Sequence, residues 1–281
     1  MSLNPPIRDW RGKRVWIVGA STGIGAALAL QLGQAGAKLA LSARSKDKLE
    51  ALVAGQVSAE STSGKPGAPA GAGQRDAMPG ALVLPLDVRD AVGLASAYAM
   101  IIRKWGGADL TIFNAGTYSP MRADAFDLAH MDEHFAVNFH GVTNGLAAIL
   151  PDYLRRAASH PCISIVSSVA GYRGLPQSLA YGPSKAALIN LAETLYLDLA
   201  PKGIAIRLIN PGFVDTPLTK QNEFKMPALI PADEAAREII AGFARGEFEI
   251  HFPKRFTNWL KVMRLLPYSV YFAAIRKSTG L

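Results

Sequence analysis

RVWIVGASTGIG, residues Arg14 to Gly25, places four consecutive apolar residues directly before a turn with three glycines. A short apolar run broken by glycine reads as a buried strand. From Ile24 to Gly36 the sequence IGAALALQLGQAG suits a helix that Gly36 ends. A strand, a glycine turn and a helix in succession form the place where a doubly wound sheet holds a pyrophosphate, against the free amides and dipole of the helix start. Gly19 permits the sharp exit from the strand. Gly23 and Gly25 let backbone approach an anion and let helix pack on strand. A glycine-rich turn alone is weak support; its position between an apolar strand and a helix strengthens it.

The same alternation continues outward. KLALSAR (Lys38 to Arg44) reads as a second strand, with Ser45 placed to cap a helix from Lys46 to about Val53. ALVLPLDV is a strand, Val92 to Trp105 a helix, and DLTIFNAG and CISIVSS are strands. Tyr181 to Leu199 is a long helix, and GIAIRLINPG closes with another strand. Alternating β and α segments predict an α/β fold, a parallel sheet with helices on both faces. Residues 55–80, rich in Gly, Ala, Pro and Ser, lack either period and read as a flexible surface insertion. The expected organisation is one α/β domain over 1–250, carrying that insertion, and an amphipathic tail over 251–281.

Bulk composition narrows the classes. Of 281 residues, 49% are hydrophobic and 19% charged, a globular balance rather than a disordered one. The single cysteine, Cys162, excludes an internal disulfide framework and lies in an apolar run, as a buried structural thiol would. The five histidines show neither HExxH nor a Cys/His ligand spacing, so no metal site is expected. The net charge of +8 is scattered through the body and clustered in the tail, which speaks against nucleic acid as the partner. The N-terminus has no apolar secretory core and no run reaches spanning length, so the expected location is cytoplasmic.

In SSVAGYRGLPQSLAYGPSK (Ser167 to Lys185), Tyr181 and Lys185 are four residues apart, on one face of a helix. A lysine cation there would favour tyrosinate and lower the tyrosine pKa, as acid–base work on a carbonyl and its alcohol requires. Tyr172 has no lysine one turn onward. GASTGIG, LDV, NAG, a lone helix asparagine, SS, YxxxK and NPG follow one another in this order. From Lys13 to Ala241 the chain thereby resembles the short-chain dehydrogenase/reductase family of the single-domain, Rossmann-type kind.

That resemblance implies a nicotinamide cofactor and assigns roles. Catalytic positions would be Asn138 (supporting a water in the proton relay), Ser168 (anchoring the substrate carbonyl), Tyr181 (acid/base) and Lys185 (which also holds the nicotinamide ribose). Cofactor contacts would come from Gly19, Ser21, Thr22, Gly23, Ile24 and Gly25 in the first turn, and from Asp87 and Val88 at the adenine. Asn114, Ala115 and Gly116 would line the middle, and Pro211, Gly212, Val214 and Thr216 the nicotinamide end. Many relatives are homo-oligomers through the helix that Tyr181 begins.

The second strand ends without a carboxylate. Arg44, helped by Ser21, can pair with a 2′-phosphate, which favours NADP(H) over NAD(H). Tyr118, Tyr172, Leu175, Leu218 and Phe224 are expected to wall the substrate pocket, with Thr219 to Pro231 as a lid, and suit a small hydrophobic carbonyl or alcohol. A lipid-like substrate would agree with the tail. Its aromatic and basic residues suit either an interfacial helix on an anionic membrane, a peripheral contact, or packing on protein, with Pro267 dividing two helices. The alternatives are a non-catalytic NADP-binding sensor or scaffold, and a sugar-nucleotide epimerase or dehydratase.

Overall fold

The computed structural model describes residues 2–56, 77–222, 224 and 226–279. Most of the expected 55–80 insertion therefore lies outside the described residues. The first half of the sheet comes from β1 (Arg14–Val18), β2 (Lys38–Ser42), β3 (Leu82–Val83) and β4 (Leu110–Phe113). The second half comes from β5 (Cys162–Val166), β6 (Ala205–Pro211) and β9 (Glu249–Phe252), with β7 (Val214–Asp215) and β8 (Ile230–Pro231) as a separate small pair. The seven strands are parallel, in the order β3-β2-β1-β4-β5-β6-β9.

Alternation along β1 explains why the sheet is covered twice. Val15 and Ile17 join the core under α1 (Gly23–Gln34), α2 (Lys46–Val53) and α7 (Ala232–Arg245). Trp16 and Val18 join the core under α3 (Ala91–Trp105), α5 (Gly141–Arg155) and α6 (Tyr181–Leu199). Both faces are dry, so the strands read as continuous apolar runs. Between β1 and β4 the strand order reverses direction, and the loops leaving these two strands part to opposite faces. The crevice at their carboxyl ends is where such a sheet takes a ligand.

The predicted helix Ile24–Gly36 forms as α1 and stops at Gln34; Gly36 adopts φ +88° beyond the cap. The Ser45 side chain caps α2 by accepting from the Lys48 amide at 3.4 Å. Within ALVLPLDV only Leu82 and Val83 form strand. Beyond Pro85, which lacks an amide hydrogen, the chain keeps beside β2 through Leu86 N donating to the Ala43 carbonyl at 3.0 Å. α4 (Leu128–His134) runs on into α5 through a π-helical segment, Phe135–His140. Pro267 does divide two helices, α8 (Lys254–Arg264) and α9 (Tyr268–Thr279).

The first turn is built backbone against backbone. Gly19 has φ +93°, its amide donates to the Ser42 carbonyl at 2.7 Å, and its carbonyl accepts from Asn114 Nδ2 at 2.7 Å. A Cβ at Gly25 would overlap that carbonyl and lie 2.6 Å from the Asn114 amide nitrogen. Gly25→Ala should therefore lower the melting temperature by roughly 5 °C or more, because rigid backbone must shift. Gly174, with nothing within 4 Å of an added Cβ, is the control. Gly174→Ala should move the melt followed by circular dichroism by less than about 1 °C.

Candidate active site

At the carboxyl ends of the strands lies a cleft of about 520 Å³. Its floor is the first turn, with Gly19, Ser21, Thr22, Gly23 and Ile24; Asn114, Ala115 and Gly116 form one wall, and Pro211, Gly212, Val214 and Thr216 the other. The donors suit an anion. Thr22 precedes α1 without a side-chain cap, and the first turn of α1 holds no acidic residue, so its amides face the cleft uncompensated. At Gly116 an added Cβ would come 3.3 Å from Asn138 Oδ1 and 3.5 Å from Lys185 Nζ. The close approaches and free amides fit a dinucleotide. Gly25 is the exception among the predicted contacts: it sits behind the turn, packing α1 on Gly19.

Arg44 lines the cleft beyond the end of β2, and so does Lys48, four residues further on, which sequence reading passed over. Its signal was the i, i+4 spacing across the Ser45 cap. Asp87 and Val88 also line this end; the Asp87 carboxylate is held by Arg89 at 2.6 Å, which lowers its pKa.

Ser168, Tyr181 and Lys185 meet where β5 and α6 reach the cleft. Ser168 follows β5 by two residues and caps the turn Val169–Gly171, its Oγ accepting from the Ala170 amide at 3.1 Å. The Ser168 hydroxyl also favours the phenolate form of Tyr181. Burial outweighs this and pushes Tyr181 up to about 12. Lys185 is 3% exposed; burial lowers it to about 8, and its Nζ donates to the Val166 carbonyl at 3.1 Å. The expectation that Lys185 depresses the tyrosine pKa is thus corrected for the protein alone. Nζ stands 5.5 Å from the Tyr181 ring centroid, while desolvation acts on both groups and disfavours either charge.

Asn138 is fully buried in the π-helical segment. Its Oδ1 accepts from the Thr117 amide at 2.7 Å, and its Nδ2 donates to the Thr117 carbonyl at 3.1 Å and Ser184 Oγ at 3.0 Å. The amide therefore positions the chain after NAG against the Lys185 helix. Ser167, by contrast, donates to the Lys185 carbonyl at 2.7 Å and joins β5 to α6.

The expected substrate walls separate into two groups. Leu218 lines the cleft, and Tyr118 packs edge-on to Tyr181 with ring centroids 5.0 Å apart. The Tyr118 hydroxyl donates to Asn222 Oδ1 at 2.8 Å, which ties the chain after NAG to the loop beyond β7. Phe224 packs on Phe213 at 5.7 Å. Tyr172 and Leu175 do not line this cleft. Tyr172 turns to the far edge of the sheet, where its hydroxyl donates to Glu249 and burial raises its pKa; Leu175 packs against Met263, Tyr271 and Ile275 of the tail. Sequence reading also missed His134, which is buried beside Tyr181, accepts from the Ser119 amide at 3.2 Å and is held below its ordinary pKa by burial.

Comparison with known proteins agrees with this geometry. The model of the short chain dehydrogenase family matches residues 13–226. An uncharacterized oxidoreductase of Myxococcus xanthus is 30% identical over 261 residues, 93% of this chain and 95% of that one. Another, from Listeria monocytogenes, is 31% identical over 226 residues, 78% of this chain and 83% of that protein. Among solved structures, a short chain dehydrogenase from Burkholderia cenocepacia in complex with NADP superposes with a TM-score of 0.77 at 21% identity, covering 95% of this chain and 99% of that one. A short chain dehydrogenase/reductase from Burkholderia phymatum in complex with NAD gives 0.76 at 22% identity, covering 92% and 94%.

The lowered Lys185 pKa has a consequence for stability. A base depressed on folding penalises the native state fully below its folded pKa, about 8, and the penalty fades as pH rises toward the unfolded value of 10.5. Lys185→Met should accordingly stabilise the protein by about 2 kcal/mol at pH 6–7, after allowing for the lost Val166 bond. The gain should shrink between pH 8 and 10.5 in paired melts; a gain that grows with pH would contradict the burial argument.

Proposed function

From the premise that the chain belongs to the short-chain dehydrogenase family, and is an oxidoreductase, we propose an NADP(H)-dependent enzyme that interconverts a hydrophobic carbonyl and its alcohol. The observation that carries this reading is the convergence of Ser168, Tyr181 and Lys185 on the cleft that holds the anion-binding turn. When bound, the nicotinamide supplies or accepts the hydride at the carbonyl carbon. Ser168 donates a hydrogen bond to the carbonyl oxygen and steadies the charge that develops there. Tyr181 Oη delivers its proton to that oxygen. Lys185 holds the nicotinamide ribose, and with a pKa of about 8 it can return a proton to Tyr181 near neutral pH.

The pKa values favour reduction. At about 12, Tyr181 is protonated throughout the neutral range, ready as an acid and poor as a base. Arg44 and Lys48 support NADP(H), since two cations at the adenosine end suit a 2′-phosphate and no carboxylate ends β2 to receive free ribose hydroxyls. Leu218, Val214 and Tyr118, with the Phe213–Phe224 pair in the neighbouring loop, support an apolar substrate.

Two measurements test this. NADPH oxidation should be screened against ketosteroids, 3-ketoacyl thioesters, retinal and long-chain aldehydes. With the best substrate, Tyr181→Phe should lower kcat by about 10³-fold or more while NADPH affinity changes little; near-normal turnover would sink the mechanism. Separately, Arg44→Ala combined with Lys48→Ala should weaken NADPH binding at least about tenfold and leave NADH within about twofold, by fluorescence titration.

A further inference from the structure

The segment 250–281 carries six of the thirty basic residues and none of the twenty-two acidic ones, and so supplies six of the eight net positive charges. Its inner faces are occupied. Met263, Tyr271 and Ile275 are buried, and Lys261 pairs with Glu249 at 2.5 Å. Arg173 donates to the Met263 and Leu266 carbonyls at 3.1 and 2.7 Å, with its guanidinium 4.1 Å from the Tyr271 ring centroid. The Tyr271 hydroxyl in turn donates to the Gly174 carbonyl at 2.7 Å.

The outer faces are of the opposite kind. Arg255, Trp259 and Val262 follow one another at helical spacing and are all exposed, as is Leu265 at the corner, 84% exposed. Tyr268, Phe272 and Arg276 continue in the same spacing on α9, with Tyr268 70% exposed and its ring stacked on Phe272. Among the described residues, no acidic side chain lies within ion-pair distance of Arg255, Arg264, Arg276 or Lys277. Among the same residues, no helix is long and apolar enough to cross a membrane.

We propose that the outer face of α8 and α9 docks on an anionic lipid surface. Trp259, Val262, Leu265 and Phe272 would enter the interfacial layer, and Arg255, Arg276 and Lys277 would meet the headgroups. The charge decides between occupants. A second copy of this chain would bring the same cations to the contact and repel, whereas an anionic bilayer complements all three and accepts aromatic residues at headgroup depth. The inner-face bonds hold both helices in place beforehand, so docking orders little chain. The inference does not depend on the catalytic reading.

The test is co-sedimentation of the full chain with vesicles of phosphatidylcholine alone or with 30 mol% phosphatidylglycerol. Binding to the anionic vesicles should be at least about tenfold tighter and should be lost in 0.5 M NaCl, where charges are screened within a few ångströms. R276E combined with K277E, and separately W259S combined with F272S, should each weaken it at least about tenfold. Both variants should keep NADPH affinity within about twofold, which shows that they fold. Equal binding to neutral and anionic vesicles, or none to either, would overturn the proposal. So would self-association abolished by W259S and F272S in a protein that stays in the supernatant.

Discussion

The carbonyl of Gly19 is the point on which the cleft depends. Asn114 donates to it from the end of β4, while Gly25 presses against it from the first turn of α1. β1, α1 and β4 thus meet at one backbone oxygen, and Gly25 has no side chain to crowd out the Asn114 amide there. The contact fixes the angle at which α1 leaves the sheet and aims its free amides into the crevice between β1 and β4. It also sets the chain after β4, where Thr117 is gripped on both its amide and its carbonyl by Asn138. Since Asn138 in turn bonds Ser184 on α6, the glycine turn and the Tyr181–Lys185 helix are joined through these hydrogen bonds and the short stretch of chain from Asn114 to Thr117.

Within that frame, burial rather than charge pairing governs the two titrating groups. Tyr181 and Lys185 stand one helical turn apart, and in water the lysine cation would favour ionisation of the phenol. In the folded chain each is desolvated, and the ammonium is turned onto the Val166 carbonyl. The result is a tyrosine that keeps its proton and a lysine that releases one more readily than in water. At neutral pH the buried charge is the ammonium, and the Val166 carbonyl is what compensates it.

The fold was readable because its signals are local. A glycine turn between an apolar strand and a helix, and a repeated β–α alternation, need no distant contact to be recognised; α6 begins at Tyr181 and ends at Leu199 as its pattern indicates. Most residues lining the cleft around the glycine turn were readable for the same reason; Gly25 packs behind the turn instead, and Lys48, beside Arg44, was passed over. What the sequence could not show is where side chains on long connections turn. Tyr172 lies four residues after Ser168 and was expected over the same pocket, yet its hydroxyl lies on Glu249, on a strand at the opposite side of β6. That contact spans 77 residues, and no spacing rule anticipates it. The same holds for His134, whose ring stands 6.5 Å from that of Tyr181, 47 residues further along the chain.

The displaced tyrosine also explains how the tail is coupled to the chemistry. Tyr172, Arg173 and Gly174 all spend their polar groups away from the cleft, on Glu249, on the α8–α9 corner and on Tyr271. Only the 3-10 turn Val169–Gly171 separates these contacts from Ser168. A Cβ at Gly171 would come 2.7 Å from the Lys185 carbonyl carbon, so this turn is wedged against α6 and transmits displacement instead of absorbing it. A shift of α8 and α9 would therefore be felt first at Ser168, which lines the cleft. The basic character of the whole chain, which read as a general property of its composition, belongs mostly to this one segment. Its position against the loop that follows β5 gives it a mechanical route to the site.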